Sequence, residues 1–496
     1  MGTTHRTNHR GILGDPEMLP PPADVGMNRR RFLAVASAAS IGAILAACGG
    51  SSSTDTPAPA KPTAAGAAPA GNAGSSAPST TTAASVPTTA PAVSKGTHEI
   101  VHWSWLSASD GEVWQKMIDN FNAAHKDQGV QIRMEVVPDD QYGTKVLASA
   151  ATGAAPDFGW ADAGTRLDWV KKGVVQPLDD IFKQIGFDLS DFSEQSLSAS
   201  KYNGKLSLMP MDAMSLQVLV NTDHVKEAGL DITKPPTTGD QLLTWADKLT
   251  QRSGDKVTRS GWLMTGSAVQ PSVVWGLVAY QMGFRRADPE LKEAAINPDA
   301  GKQAAQWVLD LFDKNRVSTR DVTDRYKAFG TGQGSMFWTG PWTLNGYIQQ
   351  KLPFVTILSP QIGKEAATYY ELGGLEMYTQ KDKGRYEATA QALRWLSDNS
   401  LLWTTVGRGA SPRKSIASKP DYRTAGPPTS VRGPFLDGID IAKVGEIPVA
   451  AADDFEIYTG SGFVAKTMDA VWAKQTSIDS AISTLAKQWK QDLAAG

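Results

Sequence analysis

The sequence predicts an α/β protein built from helix-covered, mainly parallel sheets, and three observations carry that expectation. Beyond residue 98 the apolar residues switch repeatedly between a period of two and a period of 3.6. A second run of such switching begins near Pro210, after a first that extends from Ile100 to Lys172. The chain has 496 residues, 41% of them hydrophobic, which is too long for one ordinary domain.

Ile100–Trp105 reads as a strand and Glu112–Ala123 as a helix with Val113, Met117, Ile118 and Phe121 on one face. In Val130–Val137 the residues Val130, Ile132, Met134 and Val136 alternate with Gln131, Arg133 and Glu135, which closes a β-α-β opening. A helix over Tyr142–Ala151 stops at Gly153, a short strand starts at Pro156–Trp160, and a helix over Leu167–Lys172 is closed by Gly173. In the second region Ser215–Asn221 reads as a strand, and Thr238-x-x-Gln241 has the spacing of a capping box ahead of Leu242, Leu243, Ala246 and Leu249. Ala304, Val308, Leu311 and Phe312 line another helix, and Ile478, Ile482, Leu485, Trp489 and Leu493 line the last.

The net charge of −2 leaves no electrostatic footprint for a nucleic acid. The first 97 residues hold seven basic and four acidic side chains, so the remainder is mildly acidic. A single cysteine, Cys48, excludes a disulfide framework, a Cys-based zinc site and an iron–sulfur cluster, each of which needs two or more thiolates. No cofactor is implied.

Residues 1–47 read as an export signal. Asn28-Arg29-Arg30-Arg31 is a basic n-region, and Phe32–Ala47 is an uncharged run of sixteen residues. As a helix that run reaches about 24 Å, short of the roughly 30 Å hydrocarbon core, which disfavours a permanent span. Arg29-Arg30-x-Phe32-Leu33 resembles a twin-arginine signal, although Asn28 precedes the pair, and Met27 is an alternative start. Leu45-Ala46-Ala47-Cys48 resembles a bacterial lipobox, which implies that Cys48 is lipidated and anchors the chain to a membrane. From Cys48 to residue 97 the chain is Ala, Pro, Ser, Thr and Gly with only Asp55, Lys61 and Lys95 charged. Such a segment buries too little to offset ordering and reads as a disordered tether.

Several motifs, taken in order, carry a resemblance. Strand residue Trp103 is followed by Phe121-Asn122, Ala155-Pro156-Asp157, Lys172-Gly173-Val174-Val175-Gln176-Pro177-Leu178-Asp179, Tyr202-Asn203-Gly204-Lys205 and Val218–Asn221. Then come Pro236-Thr237-Thr238, Gly334-Ser335-Met336, Gly340-Pro341-Trp342, Gly373-Gly374 and Gly407–Arg413. Residues 98–496 thereby resemble the extracellular solute-binding proteins of ABC importers, in the group that includes maltose-binding protein. The resemblance implies a two-lobe periplasmic-binding-protein fold with three crossings, near Met209–Asp212, Leu372–Gly374 and Ala425–Thr429. It divides the chain into an N-terminal lobe, 98–209 plus 374–425, and a C-terminal lobe, 210–373 plus 426–496. It also implies a carbohydrate ligand in the cleft, an ABC permease with a cytoplasmic ATPase as partner, and a monomer; glycerol phosphodiesters are exceptional ligands of the group.

A sugar offers apolar C–H faces and a rim of hydroxyls, so its site needs aromatic faces with short carboxylates, amides or Arg. The chain has 15 Trp, all beyond position 100. Trp103 and Trp105 stand at the C-terminal end of the first strand, where open α/β sheets bind ligands. The resemblance assigns Trp160 a stacking role and Asp162 and Asp212 hydroxyl-binding roles. Trp342 follows Pro341, a good first helical residue after Gly340, and matches the stacking Trp of the group. Trp338, on the strand before it, Glu371 and Arg408 complete the candidate set, each with a core or surface role as its alternative. Trp114, Trp169, Trp245, Trp307, Trp395, Trp472 and Trp489 read as core; Trp262, Trp275 and Trp403 remain open.

His98-Glu99-Ile100-Val101-His102 matches the H-E-x-x-H zinc-protease pattern but sits in a strand-like context. On a strand the two imidazoles stand about 13 Å apart and could not share one zinc. Gly330-x-Gly332-x-Gly334 lacks the Lys-Ser/Thr of a phosphate loop and reads as a turn before a strand. A glycosidase would also use Trp and paired carboxylates, and a surface adhesin would share the anchor and tether without the crossings. No local catalytic signature favours the first, and the order of motifs disfavours the second.

Overall fold

The computed structural model describes residues 98–163, 167–266, 269–285, 297–406, 408–444 and 462–495. The export segment, Cys48 and the tether lie outside the described residues.

The strands in chain order are β1 (His98–Ser104), β2 (Val130–Val136), β3 (Phe158–Asp162), β4 (Lys201–Tyr202), β5 (Lys205–Leu206), β6 (Met209–Ser215) and β7 (Gln217–Asn221). They continue with β8 (Gln251–Ser253), β9 (Lys256–Trp262), β10 (Gly334–Thr339), β11 (Phe354–Ile357), β12 (Thr368–Met377) and β13 (Ala442–Val444). The first sheet has the order β13-β12-β3-β1-β2, with β6 on β12, and the second has the order β11-β7-β10-β9-β8. Each has its own core. Ile100, Trp114, Phe121, Phe158 and Trp160 belong to the first, and Val218, Leu242, Trp262, Trp275 and Trp338 to the second.

The opening β-α-β unit forms as its periodicity predicts. The helix Ala108–Ala124 buries Met117, Ile118 and Phe121, with Trp114 taking the place expected for Val113. Its end is tied to β2 by Asn122, whose amide donates to the Ile132 carbonyl (2.9 Å) and accepts from the Ile132 N–H (2.7 Å). The helix Asp139–Thr152 ends at Gly153, the helix Leu167–Lys171 precedes Gly173, and the last helix, Ile478–Ala495, buries Ile482, Leu485 and Trp489. At Thr238 the cap is a variant of the expected box. The Thr238 hydroxyl accepts from the Gln241 N–H, but Gln241 Oε1 accepts from the N–H of Thr237.

Two expectations need correction. The strand expected over Ser215–Asn221 is two strands, β6 and β7, interrupted at Leu216. All seven residues of β6 are buried, so the segment Met209-Pro210-Met211-Asp212-Ala213-Met214-Ser215 has no alternation to betray it. The second sheet is mixed, not mainly parallel. Only β9 and β10 run parallel, while β7 pairs antiparallel with both β10 and β11, and β8 with β9. The two-residue turn that joins β8 to β9 leaves no room for a crossover helix and makes that pair antiparallel. In the first sheet β1 runs parallel to β2 and β3, as expected, with β12 antiparallel to β3.

The zinc-protease pattern lies wholly on β1. His102 is buried, stacks on Phe158 at 4.2 Å and accepts from Trp114 Nε1 at 2.8 Å. Burial lowers its pKa to about 3, so it is a neutral core residue.

Asp157 joins three elements. Fully buried, it accepts a fork of two bonds from Arg385, at the start of the helix Lys383–Asp398, and one from the Val101 N–H of β1 (2.7 Å). Asp157→Ala strands both donors and should cost about 3 kcal/mol in urea unfolding. A loss below about 1 kcal/mol would show that the fork is dispensable.

Candidate functional site

The two strands that run between the sheets, β6 and β12, lie side by side and put two carboxylate-bearing positions in one row, one on each side of a single glycine. Gly373 of β12 pairs with Asp162 at the end of β3 on one side and with Asp212 of β6 on the other. Only glycine fits there. A Cβ at position 373 would stand 2.6 Å from Cζ2 of Trp160 and 2.8 Å from Oδ1 of Asp212.

Arg408 lies against this row. Its loop is bridged to β6 by paired backbone bonds between Ala410 and Ala213 (2.7 and 2.8 Å). Its Nη1 donates to Asp110 Oδ2 at 3.2 Å, and its Nε stands 3.6 Å from Asp212 Oδ2, an ion-pair distance. The guanidinium faces the rings of Trp403 and Trp160 at 5.4 and 5.8 Å. Trp114, Trp160 and Trp403 meet edge to face, each pair at 5.1 Å, and the Trp403 indole donates to Asp212 Oδ2 at 2.6 Å.

The electrostatics follow from burial. Asp212 is fully buried, which pushes its carboxyl up to about 6 against the opposing pull of Arg408 and the Trp403 donor; Asp162 and Asp110 add to the rise. Asp110 is also raised, by burial first and against Arg408. For Arg408 burial works to release the proton, but Asp212, Asp110, Asp162 and Glu371 outweigh it and hold the pKa above its ordinary value. Oδ1 of Asp212 and Nε1 of Trp160 are buried and make no hydrogen bond among the described residues.

The structure therefore brings together Trp160, Asp162, Asp212, Glu371 and Arg408. Trp342 stands apart, on the second sheet's side. Pro341 opens the turn Pro341–Thr343 after β10, and the half-buried Trp342 ring folds back over Gly340, where a Cβ would stand 1.8 Å from it. Its Nε1 donates to the Tyr326 hydroxyl at 3.2 Å. Trp338 is packed in the core, edge-on to Trp262 at 4.9 Å, with its indole donating to Ser359 at 3.1 Å. Trp103 packs in a separate cluster with Tyr142, Trp169 and Tyr378 and carries Lys145 over its ring at 4.1 Å. Trp105 is half-buried, edge-on to Tyr142.

Sequence reading missed four groups here. Asp110 is hidden in an ordinary first helical turn, and Trp403 sits in the five-residue helix Leu401–Thr405, too short for a periodic signal. Gln270 donates to the Trp338 carbonyl at 3.3 Å, and its Oε1 and the neighbouring strand's Thr339 Oγ1 are buried without a hydrogen bond among the described residues. A Gln one residue before Pro271, and a Thr before Gly340-Pro341, were the available hints.

The arrangement offers hydrogen-bond acceptors, indole faces and a guanidinium beside a strand crossing between two sheets. A family model described as bacterial extracellular solute-binding protein matches residues 116–426. The chain belongs to that family. It is 21% identical over 313 residues to a maltotriose-binding protein of Pyrococcus abyssi, covering 61% of this chain and 63% of that one. A binding protein of Brucella abortus is 24% identical over 254 residues, 50% of this chain and 58% of its own. The match thus spans less than two thirds of either relative. Among solved structures, the fold is shared with the ABC substrate-binding protein Lmo0181 of Listeria monocytogenes in complex with cycloalternan, at a TM-score of 0.68 and 18% identity over 80% of this chain and 99% of that one. It is shared likewise with UgpB of Mycobacterium tuberculosis in complex with glycerophosphocholine, at 0.67 and 16% over 81% and 99%. The two-lobe periplasmic-binding-protein fold expected from sequence is the fold observed.

Asp212 costs the protein stability. A carboxyl whose folded pKa stands above its unfolded one binds protons more tightly when folded, so stability falls as the pH rises from 3.8 through about 6. Asp212→Asn should flatten that part of the pH–stability curve and leave the protein at least as stable as wild type at pH 7. Marked destabilisation at pH 7 would show that the charge supports the fold.

Proposed function

We propose that the protein is the substrate-binding component of an ABC importer, capturing a mono- or oligosaccharide between its lobes and delivering it unchanged to a membrane permease. Family membership and the row of Asp162, Gly373 and Asp212 beside Trp160 and Arg408 support this reading. Buried acceptors next to indoles suit a hydroxyl-rimmed ring. Trp160, Asp162, Asp212, Glu371 and Arg408 then form one wall of the site, and Trp342 a stacking face from the side of the second sheet, with Trp105 at the margin. Trp103 and Trp338 support these walls from behind.

The lobes divide as 98–209 plus 374–425 and 210–373 plus 426–496. The chain is exported by the signal in residues 1–47, held at the outer face of the membrane by lipid on Cys48, and acts as a monomer at the end of its tether. No reaction is catalysed. The likeness to UgpB with glycerophosphocholine supports a phosphodiester as second reading. Arg408 is already held by Asp110 and Asp212, so a phosphate placed there would be repelled by their carboxylates, whereas an uncharged saccharide is not.

A thermal-shift panel of saccharides, polyols and glycerol phosphodiesters tests the reading, since a ligand at 100 times its Kd adds about 2.7 kcal/mol. At least one saccharide should shift the midpoint and be recovered intact, and Trp342→Ala should weaken it at least tenfold. A shift by phosphodiesters alone, or a cleaved saccharide, would overturn the proposal. Cys48→Ser should release the protein from membranes; continued membrane association would refute the anchor.

A further inference from the structure

Asp212 is held from one side only. Two groups converge on its Oδ2, the Trp403 indole N–H at 2.6 Å and Arg408 Nε at 3.6 Å. Oδ1 has no hydrogen bond among the described residues and points at Gly373, the position where a Cβ would come within 2.8 Å. A buried acceptor without a donor is costly unless something else supplies one.

We propose that Trp403 is the positioning residue of Asp212: its indole N–H fixes Oδ2 and so leaves Oδ1 turned toward a hydroxyl of the bound saccharide. This rests on the reading of Asp212 as a ligand-binding group. Trp403 is itself immobilised. Its ring is wedged between Trp114 and Trp160, and its short helix is clamped by the buried Arg432, which donates to the carbonyls of Thr404 (2.9 Å) and Tyr422 (2.7 Å). Arg432 lies on the helix Thr429–Asp437, just beyond the third crossing, so the donor to Asp212 is anchored from the chain segment that crosses last.

A carboxylate pinned through one oxygen is pre-organised; free to rotate, it would lose part of a ligand's binding to ordering. The donor also favours the charged form, the form that accepts from a hydroxyl. The other charged groups around Asp212 are Asp110 from the helix Ala108–Ala124, Asp162 from β3 and Arg408 from the loop after Trp403, with Glu371 of β12 acting on Arg408. Of these, Arg408 also faces the Trp403 ring, at 5.4 Å.

Trp403→Phe keeps a six-membered ring between Trp114 and Trp160 and removes the donor together with part of the indole's volume. In the full chain, with aspartate carboxyls labelled with carbon-13, the resonance lost in Asp212→Asn identifies Asp212. Its titration midpoint should rise by about one pH unit or more in Trp403→Phe. Maltotriose serves as binding probe. Trp403→Phe should weaken it about tenfold at pH 6 and regain most of the loss by pH 8, a recovery that packing damage does not give, while Asp212→Asn weakens it at every pH. An unmoved midpoint overturns the proposal, as does Trp403→Phe binding like wild type while Asp212→Asn does not. If both variants bind like wild type, the ligand role of Asp212 fails instead; if maltotriose does not bind the wild type, the midpoint alone decides.

Discussion

A carboxylate buried where two strands cross between two sheets is the constraint on which the rest of the structure turns. Asp212 sits on β6 beside β12, and everything around it answers the cost of its burial. Trp403 and Arg408 offset part of that cost through Oδ2. Gly373 leaves space that any side chain would fill, and three indoles exclude water from the flank. A fold selected for stability alone would place an apolar residue at this position. In the proposed function that cost is met by what the carboxylate does for a ligand.

The two sheets divide the work. The first supplies the charged row and the indole cluster, in which Asp212 Oδ1 and Trp160 Nε1 make no hydrogen bond among the described residues. The second supplies Trp342, braced over Gly340 and bonded to Tyr326, together with the polar edge formed by Gln270 and Thr339. The strands that join them carry Asp212 and Glu371, so in the proposed function the hinge and the binding wall share residues. A ligand that touches both sets favours the closed arrangement only by what it gains from the second set, since equal affinity for two states shifts neither.

Much of this was legible in the sequence where a period could be read. β2 and the helices Ala108–Ala124, Pro298–Asp313 and Ile478–Ala495 each bury one face, and their apolar spacing says so, while β1 buries His102, Trp103 and Ser104 in succession. β6 was not legible, because every residue in it is buried and Pro210 and Asp212 read as loop. In the second sheet β7 pairs with β10 and β11, which lie far from it in sequence, and β8 with β9 across a two-residue turn, and periodicity weighs neither. Of the site, the row of Trp160, Asp162, Asp212, Glu371 and Arg408 was found through the order of family motifs. Asp110 and Trp403 were not, since they act through partners 298 and 191 residues away in sequence. Indole abundance pointed to sugar chemistry, but it did not separate rings that pack, such as Trp338, from the half-buried Trp342.

The proposed function rests on an intact saccharide gripped at Asp212 and faced by Trp342. A crystal of the protein soaked with the best saccharide of the panel should show an unbroken sugar with a hydroxyl within hydrogen-bond distance of Asp212 Oδ1 and a ring face against Trp342. A sugar bound elsewhere, or one found hydrolysed in the crystal, would contradict it.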